Sequence, residues 1–422
     1  MNLYRSTMRW AGVVVAFVWT ACVEGQATVA AVEVTSDFNS ADHGSTKQQP
    51  GEVAKKIAPG LFMARGKFNL QGEGSTKVLM PIPLSYRDQV PLNYELEVRP
   101  PGKIAGTRVY EDKPGNWVAE LSLRDLVRSK PIDVEWKSVV LVGPSDFSGV
   151  PKQAERPSVW PAEARQWLAS TWCVQSGDAR IRDMARDIRG DSTDVLKIIE
   201  ATLSRMKEIY VAQSGRCMSL DAVSALDTQG SCTSCANLVA ALLRANYVPA
   251  RVLSGYPAWS GPLQTHYIVE AYVPGYGWYP IESTMLKAPW SNHQQIAVSI
   301  VPPEYEGDAA HSRSQAAPGV PFLSLTERAA GSADFETNGT VDTKRIGCDH
   351  EAKVFTNLPD STSPADWSAL LGAARRSWAA WLAGSPSSDV GAGLKAGPST
   401  EALKDVNVEG LRRAIELEHH AP

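Results

Sequence analysis

The hydrophobic period of this chain changes partway along, and that change restricts its fold more than any other feature. Between about residues 61 and 150, short runs alternate apolar and polar side chains, as in "LNYELEVRP", "WVAELSL" and "IDVEWKSVVLV". Alternation with a period of two marks a strand with one buried face, and "PPGK" and "DKPGN" supply turns between such strands. "STKVLMPIPLS" is a further β-rich run, ended by prolines. These runs predict an antiparallel β-sandwich-like domain over residues 61–155. Its titratable groups do not gather at a catalytic spacing, so it reads as a structural or recognition module.

Beyond this domain the period becomes helical. "SVWPAEARQWLASTW" has helix-forming composition, and "STDVLKIIEATLSRMKEIY" places Val195, Ile198, Ile199, Leu203, Met206 and Ile209 near one face. Ser192 or Thr193 would cap that helix. Another helical pattern follows Gly230 and carries Ala236, Val239, Ala240, Leu242 and Leu243. Strand-like "ARVLSGY", "THYIVEAYV" and "GWYPIES" come next, the last two joined by "PGYG". Helices followed by antiparallel strands predict an α+β domain over residues 156–307. The Ser/Ala/Gly-rich stretch 308–345 reads as a flexible linker, and 346–422 as a C-terminal helical extension. In that extension Ser363 and Pro364 start a helix whose Trp367, Leu370, Leu371, Trp378 and Trp381 form a docking face.

The 42 Lys and Arg against 46 Asp and Glu leave a formal charge of −4, without polybasic runs. A broad basic face for nucleic acid, or a patch for anionic membranes, is therefore not expected. Arg5 and Arg9 precede a short apolar run from Ala11 to about Ala21, followed by small residues. This is the pattern of a secretory signal peptide over residues 1–27, with a polar linker over 28–60. The run is shorter than the ~20 residues that span a bilayer, so the mature chain is expected to have no integral membrane span. Export to a periplasm or the extracellular space follows, with lipidation at Cys22 as the competing reading and cell-envelope association as its consequence.

Five cysteines remain beyond the signal: Cys173, Cys217, Cys232, Cys235 and Cys348. An odd number in an oxidising compartment leaves one thiol over, or one paired between chains. "GSCTSCANL" sets Cys232 at or near a helix N-terminus, where exposed N–H groups and the helix dipole favour a thiolate. Three chemistries compete for this stretch. A thiol–disulfide redox pair starts a helix in the same way, but helices precede this motif where a redox βαβ unit would have a strand. A zinc site needs a second ligand pair, and "CDH" at Cys348 to His350 is poorly spaced for it. A nucleophilic Cys232 would use His266 as base and Glu282 as the orienting carboxylate, each on its own strand. With Val273 facing Trp278, the simplest hairpin register does not set His266 opposite Glu282, so a bulge or a shifted turn is required.

Taken together, "GSCTSCANL", "LLRANYVPARVLSGY" and "HYIVEAYVPGYGWYPIEST" resemble the transglutaminase-like superfamily of papain-like cysteine enzymes, over roughly residues 157–307. A sandwich domain ahead of such a core is similar to bacterial exported members. The resemblance implies a nucleophile at Cys232, a base at His266 and an acid at Glu282, with no cofactor and no metal. It implies attack on protein or peptide amides through a thioester, resolved by an amine or by water. Two positions depart from the family pattern: Glu282 replaces the usual aspartate, and Tyr267 stands where tryptophan is common. Cys235 is then a packed or disulfide-bonded neighbour, and Arg251 a structural ion-pair donor. Tyr256, Trp259 and Trp278 either line a cleft or pack. No EF-hand-like acidic loop is present, so calcium dependence is not expected. The alternatives are an inactive binding or envelope module of the same fold, and a thiol–disulfide oxidoreductase using the C-x-x-C pair.

Overall fold

The computed structural model describes residues 59–112, 115–212, 220–228, 230–257, 262–263, 266–291, 295–301, 324–328, 336–345, 364–384 and 394–396. All belong to one compact unit, Lys55–Pro422. The expected signal peptide lies outside the described residues, as do nearly all of the linker, Cys217 and Cys348.

The alternating runs form strands β1 (Gly60–Gln71), β2 (Gly74–Pro81), β3 (Gln89–Pro91), β4 (Tyr94–Arg99), β5 (Ile104–Glu111), β6 (Trp117–Leu126) and β7 (Ile132–Val142). They sort into two antiparallel sheets over one apolar core that contains Phe62, Phe68, Leu121, Trp136 and Val140. Trp136 fits because it pairs across from Gly66, where a Cβ would lie 2.2 Å from the indole nitrogen. Three later strands complete the sheets: β13 (Ser324–Arg328) beside β2, β14 (Glu336–Arg345) beside β1, and β15 (Leu394–Ala396) beside β4. The stretch expected to be a flexible linker is thus strand in part. Backbone pairing with an open sheet edge ordered polar sequence that has no hydrophobic alternation of its own. The C-terminal helix α6 (Pro364–Gly384) forms as expected, and Trp367, Leu370, Leu371 and Trp378 join the sandwich core.

The helical block runs α1 (Ala162–Arg165), α2 (Ala179–Arg189), α3 (Val195–Ala212), α4 (Ser224–Asp227) and α5 (Cys232–Ala245). "SVWPAEARQWLASTW" yields only the single turn of α1 and a 3-10 turn at Gln166–Leu168. Helix α2 had no counterpart in the pattern, because only Ile181 and Ala185 of its charged sequence are buried. Its start is set by Asp178, whose carboxylate accepts from the Arg180 and Ile181 N–H groups. The start of α3 is set by Asp194, which accepts from the Leu196 N–H at 3.0 Å, and neither Ser192 nor Thr193 takes that role. Thr193 instead donates to Glu155.

Four strands follow as β8 (Ala250–Pro257), β10 (His266–Val273), β11 (Gly277–Ile281) and β12 (Gln295–Ile300), in the order β11-β10-β8-β12. A short β9 (Pro262–Leu263) pairs instead with β14 of the sandwich. Helix α5 packs on this sheet through one cluster joining Leu238, Val239 and Leu242 to Val252, Val269, Ala271 and Ile281. The outer edge of β12 is covered by the sandwich. Leu84 N donates to Ala297 O, the Gln89 amide pairs with Ala297, and the Asn116 amide pairs with Ile300. Side-chain amides thus satisfy an edge that would otherwise offer open backbone groups. Among the described residues no helix is long and apolar enough to cross a membrane.

Candidate active site

Helix α5 begins at Cys232. Ser231 is the N-cap, its hydroxyl accepting from the Ser234 N–H, so the first-turn N–H groups gather around the half-buried Cys232. Gly230 permits this start, because a Cβ there would lie 2.3 Å from Ser234 Oγ. Cys232 and Cys235 are both thiols and are not joined to each other.

His266 is the first residue of β10 and pairs with Gly255 of β8. Its carbonyl accepts from the Gln295 side-chain amide at 3.3 Å. The β10–β11 hairpin sets Val273 opposite Gly277 and Tyr272 opposite Trp278, one residue away from the simplest expected register. That one residue matters, because side chains alternate faces. Ile281 falls opposite Val269, so Glu282, one residue further, is a diagonal neighbour of His266 on the same side of the pleat. Under the expected register the two would have fallen on opposite sides. The shifted turn that the pairing required is what the structure contains.

His266 Nε2 is hydrogen-bonded to Glu282 Oε2. The other oxygen of Glu282 accepts from the Thr284 N–H at 2.8 Å and the Thr284 hydroxyl at 2.5 Å. The Glu282 backbone pairs in both directions with Lys287. Glu282 is wholly buried, with every oxygen occupied. The extra methylene of glutamate is accommodated by this tight turn after β11, which holds its head against the imidazole.

His266 also hydrogen-bonds to the Cys232 side chain. With Nε2 committed to the carboxylate, Nδ1 is the ring nitrogen left for sulfur. Burial opposes a charge on His266, but the bonds to Cys232 and Glu282, together with the Glu282 charge, outweigh it. They push its pKa up to about 10. Burial likewise opposes charge on Glu282, and the bonds to His266 and Thr284 hold its carboxyl below the ordinary glutamate range. Cys232, His266 and Glu282 therefore form one hydrogen-bonded chain.

Cys235 is buried one turn into α5, and the Tyr210 hydroxyl of α3 donates to the turn after β11, reaching Ser283 O at 2.9 Å. Sequence reading missed Tyr210, whose position at the half-buried end of an otherwise apolar helix face was its only signal. Arg251 is an ion-pair donor, as expected: it holds Glu270 through Nε at 2.9 Å and Nη2 at 2.8 Å. Tyr86 of the sandwich adds a hydroxyl bond to Glu270 at 2.5 Å, and Arg87 donates to Trp278 O. The half-buried Trp278 lies under the Arg251 guanidinium at 4.0 Å, and the wholly buried Tyr256 stacks on Trp136 at 5.6 Å, so Tyr256 packs rather than lines a cleft. Trp259 lies outside the described residues. Among the described residues no three His, Cys, Asp or Glu side chains gather where a metal could be held.

A helix-borne cysteine bonded to a strand histidine beside an antiparallel sheet is the arrangement of a cysteine-enzyme fold. Residues 182–283 match the model of the Transglutaminase-like superfamily, and this part of the chain is a transglutaminase-like core. No curated protein matches the chain. Among solved structures, a "Putative Cysteine Protease" from Cytophaga hutchinsonii is similar at 19% identity and a TM-score of 0.48, over 67% of this chain and 90% of its own. A "Putative Protease" from Parabacteroides distasonis shares 13% identity at a TM-score of 0.21, over 56% of this chain and 46% of its own.

Proposed function

We propose that this chain is an exported cysteine enzyme that attacks protein or peptide amides through Cys232, His266 and Glu282. The observation that carries the proposal is the unbroken chain of hydrogen bonds from the Cys232 side chain through His266 to a wholly buried Glu282. In the resting pair the imidazole holds the proton and the sulfur is the nucleophile. The sulfur adds to the amide carbonyl, and first-turn N–H groups of α5 donate to the developing oxyanion. His266 then gives its proton to the leaving amine, the C–N bond breaks, and a thioester to Cys232 remains. An amine or a water molecule resolves the thioester, with His266 taking the incoming proton. Glu282 fixes the ring orientation and stabilises the imidazolium. Export is supported by Arg5 and Arg9 ahead of the apolar run and small-residue exit.

The test is turnover of a glutamine-rich protein such as casein, followed both by incorporation of a fluorescent primary amine and by release of ammonia or new N-termini. Cys232→Ala and His266→Ala should each abolish whichever product the wild type forms. Product formation that survives Cys232→Ala would overturn the assignment. The C-x-x-C redox reading would be favoured instead by insulin-disulfide reduction that needs Cys232 and Cys235 equally.

A further inference from the structure

We infer that the cleft at the end of α5 remote from Cys232 is a second binding site, and that its occupant is an acidic peptide segment; only the choice of a peptide rests on the function proposed above. The cleft measures about 510 Å³, and its lining includes Arg156, Val159, Trp160, Arg165, Leu168 and Tyr247. That volume is ordinary for a ligand site. The 14 residues of α5 set its two ends about 20 Å apart, so the cleft lies clear of the reacting groups.

Its walls are tied to the helix end. Asn246 O accepts from Arg156 Nη1 at 2.9 Å, and Tyr247 O accepts from the Trp160 indole N–H at 2.9 Å. Arg165 Nη2 donates to Trp160 O at 3.1 Å. Each guanidinium thus uses one N–H on a carbonyl that fixes its direction and keeps the rest of its fork for a ligand. Among the described residues neither is paired with a carboxylate. Tyr247 is a second mark of a site. It is 63 % exposed, its ring centre lies 5.8 Å or less from a guanidinium (Arg156, at 5.6 Å), and its φ of 58° falls in the left-handed region where a helix end favours glycine. A large ring held there at a conformational cost joins no core cluster, and its return is contact with whatever fills the cleft. Two directed forks match carboxylates, which each can grip with paired hydrogen bonds. Val159, Leu168 and the Trp160 ring match an aliphatic side chain between them. Val159, Arg165 and Tyr247 are exposed, so the occupant can be part of a longer chain. A segment that alternates acidic and aliphatic residues meets all of these demands.

The test is isothermal titration calorimetry of the full chain carrying Cys232→Ala, which prevents turnover, with a blocked hexapeptide of alternating glutamate and leucine. The control peptide has glutamine in place of each glutamate. The glutamate peptide should bind about tenfold tighter than the control or better, and more weakly as salt rises. Arg165→Ala and Arg156→Lys should each weaken it by about tenfold, the second because an ammonium keeps the charge but not the fork. Tyr247→Gly should weaken binding by about threefold while the melting temperature holds or rises, because the strained residue is kept for its contact. A Tyr247 that serves the fold alone would instead lower the melting temperature and leave the affinity unchanged. No binding, equal binding of the two peptides, or an affinity untouched by Arg165→Ala would overturn the site. Inorganic phosphate that binds where the glutamate peptide does not would overturn the peptide as occupant. Amide turnover is read separately, in the chain with Cys232 intact. A wild type that turns over nothing yet binds the peptide through Arg165 would remove the enzyme reading and leave the cleft standing.

Discussion

Two buried glutamates belong to one hairpin, and their partners make them opposites. Glu270 on β10 is 1 % exposed and Glu282, just past β11, is 0 % exposed. Glu270 is held by Arg251, Arg87 and the Tyr86 hydroxyl, two of these from the sandwich. A guanidinium keeps its charge throughout the working pH range, so this cluster is a permanent pin between the sandwich and the sheet that carries His266. Glu282 is held by His266, whose charge is conditional and whose ring also meets a thiol. Burial supplies the same low-dielectric setting in both places. The ability of the partner to give up a proton is what separates a pin from a reactive site.

The contrast can be broken most completely at the sulfur. Cys232→Ala should remove all turnover, and His266→Ala should lower the rate by about 10⁴-fold or more. Glu282→Gln should follow at about 10³-fold, because an amide holds the ring without stabilising its charge, while the melting temperature changes little. Glu270→Gln should invert that pattern. It leaves Arg251 buried beside a neutral partner and should cost about 3–5 kcal/mol in urea unfolding, with the folded protein's rate within about threefold of wild type.

The smallest expected effect is a pH dependence of stability. His266 has its pKa raised from 6.5, so its stabilising share is full below that value and is lost as pH rises toward about 10. Glu282 has its pKa lowered from 4.5, so its share is present above that value and is lost as pH falls below it. The melting-temperature difference between wild type and His266→Gln should therefore be greatest between pH 4.5 and 6.5 and shrink on either side. A difference that is flat with pH would remove the electrostatic coupling on which the contrast rests.

Much of this was legible in residue order. The alternating runs became the sandwich strands, and the cysteine, histidine and glutamate were found in their chain order because each sits at an element's start or end. Their meeting was not legible, since it turned on one residue of hairpin register that places Gly277, not Trp278, opposite Val273. The strands at Ser324–Arg328 and Glu336–Arg345 escaped notice because their order comes from edges supplied by β2 and β1, hundreds of residues earlier. Helix α2 was hidden by its charge, and the cap of α3 by two hydroxyl residues ahead of Asp194 that looked equally able. Tyr210 carried only its place on a helix face as a mark, because its partner is a carbonyl 73 positions away.

The most direct measurement of the central claim is the titration of His266 by ¹⁵N NMR of labelled imidazole in the wild-type protein. The hydrogen-bonded chain predicts a ring that stays protonated through neutral pH, with a midpoint near 10 that drops in both Cys232→Ala and Glu282→Gln. A midpoint near the ordinary 6.5, unmoved by either substitution, would contradict it.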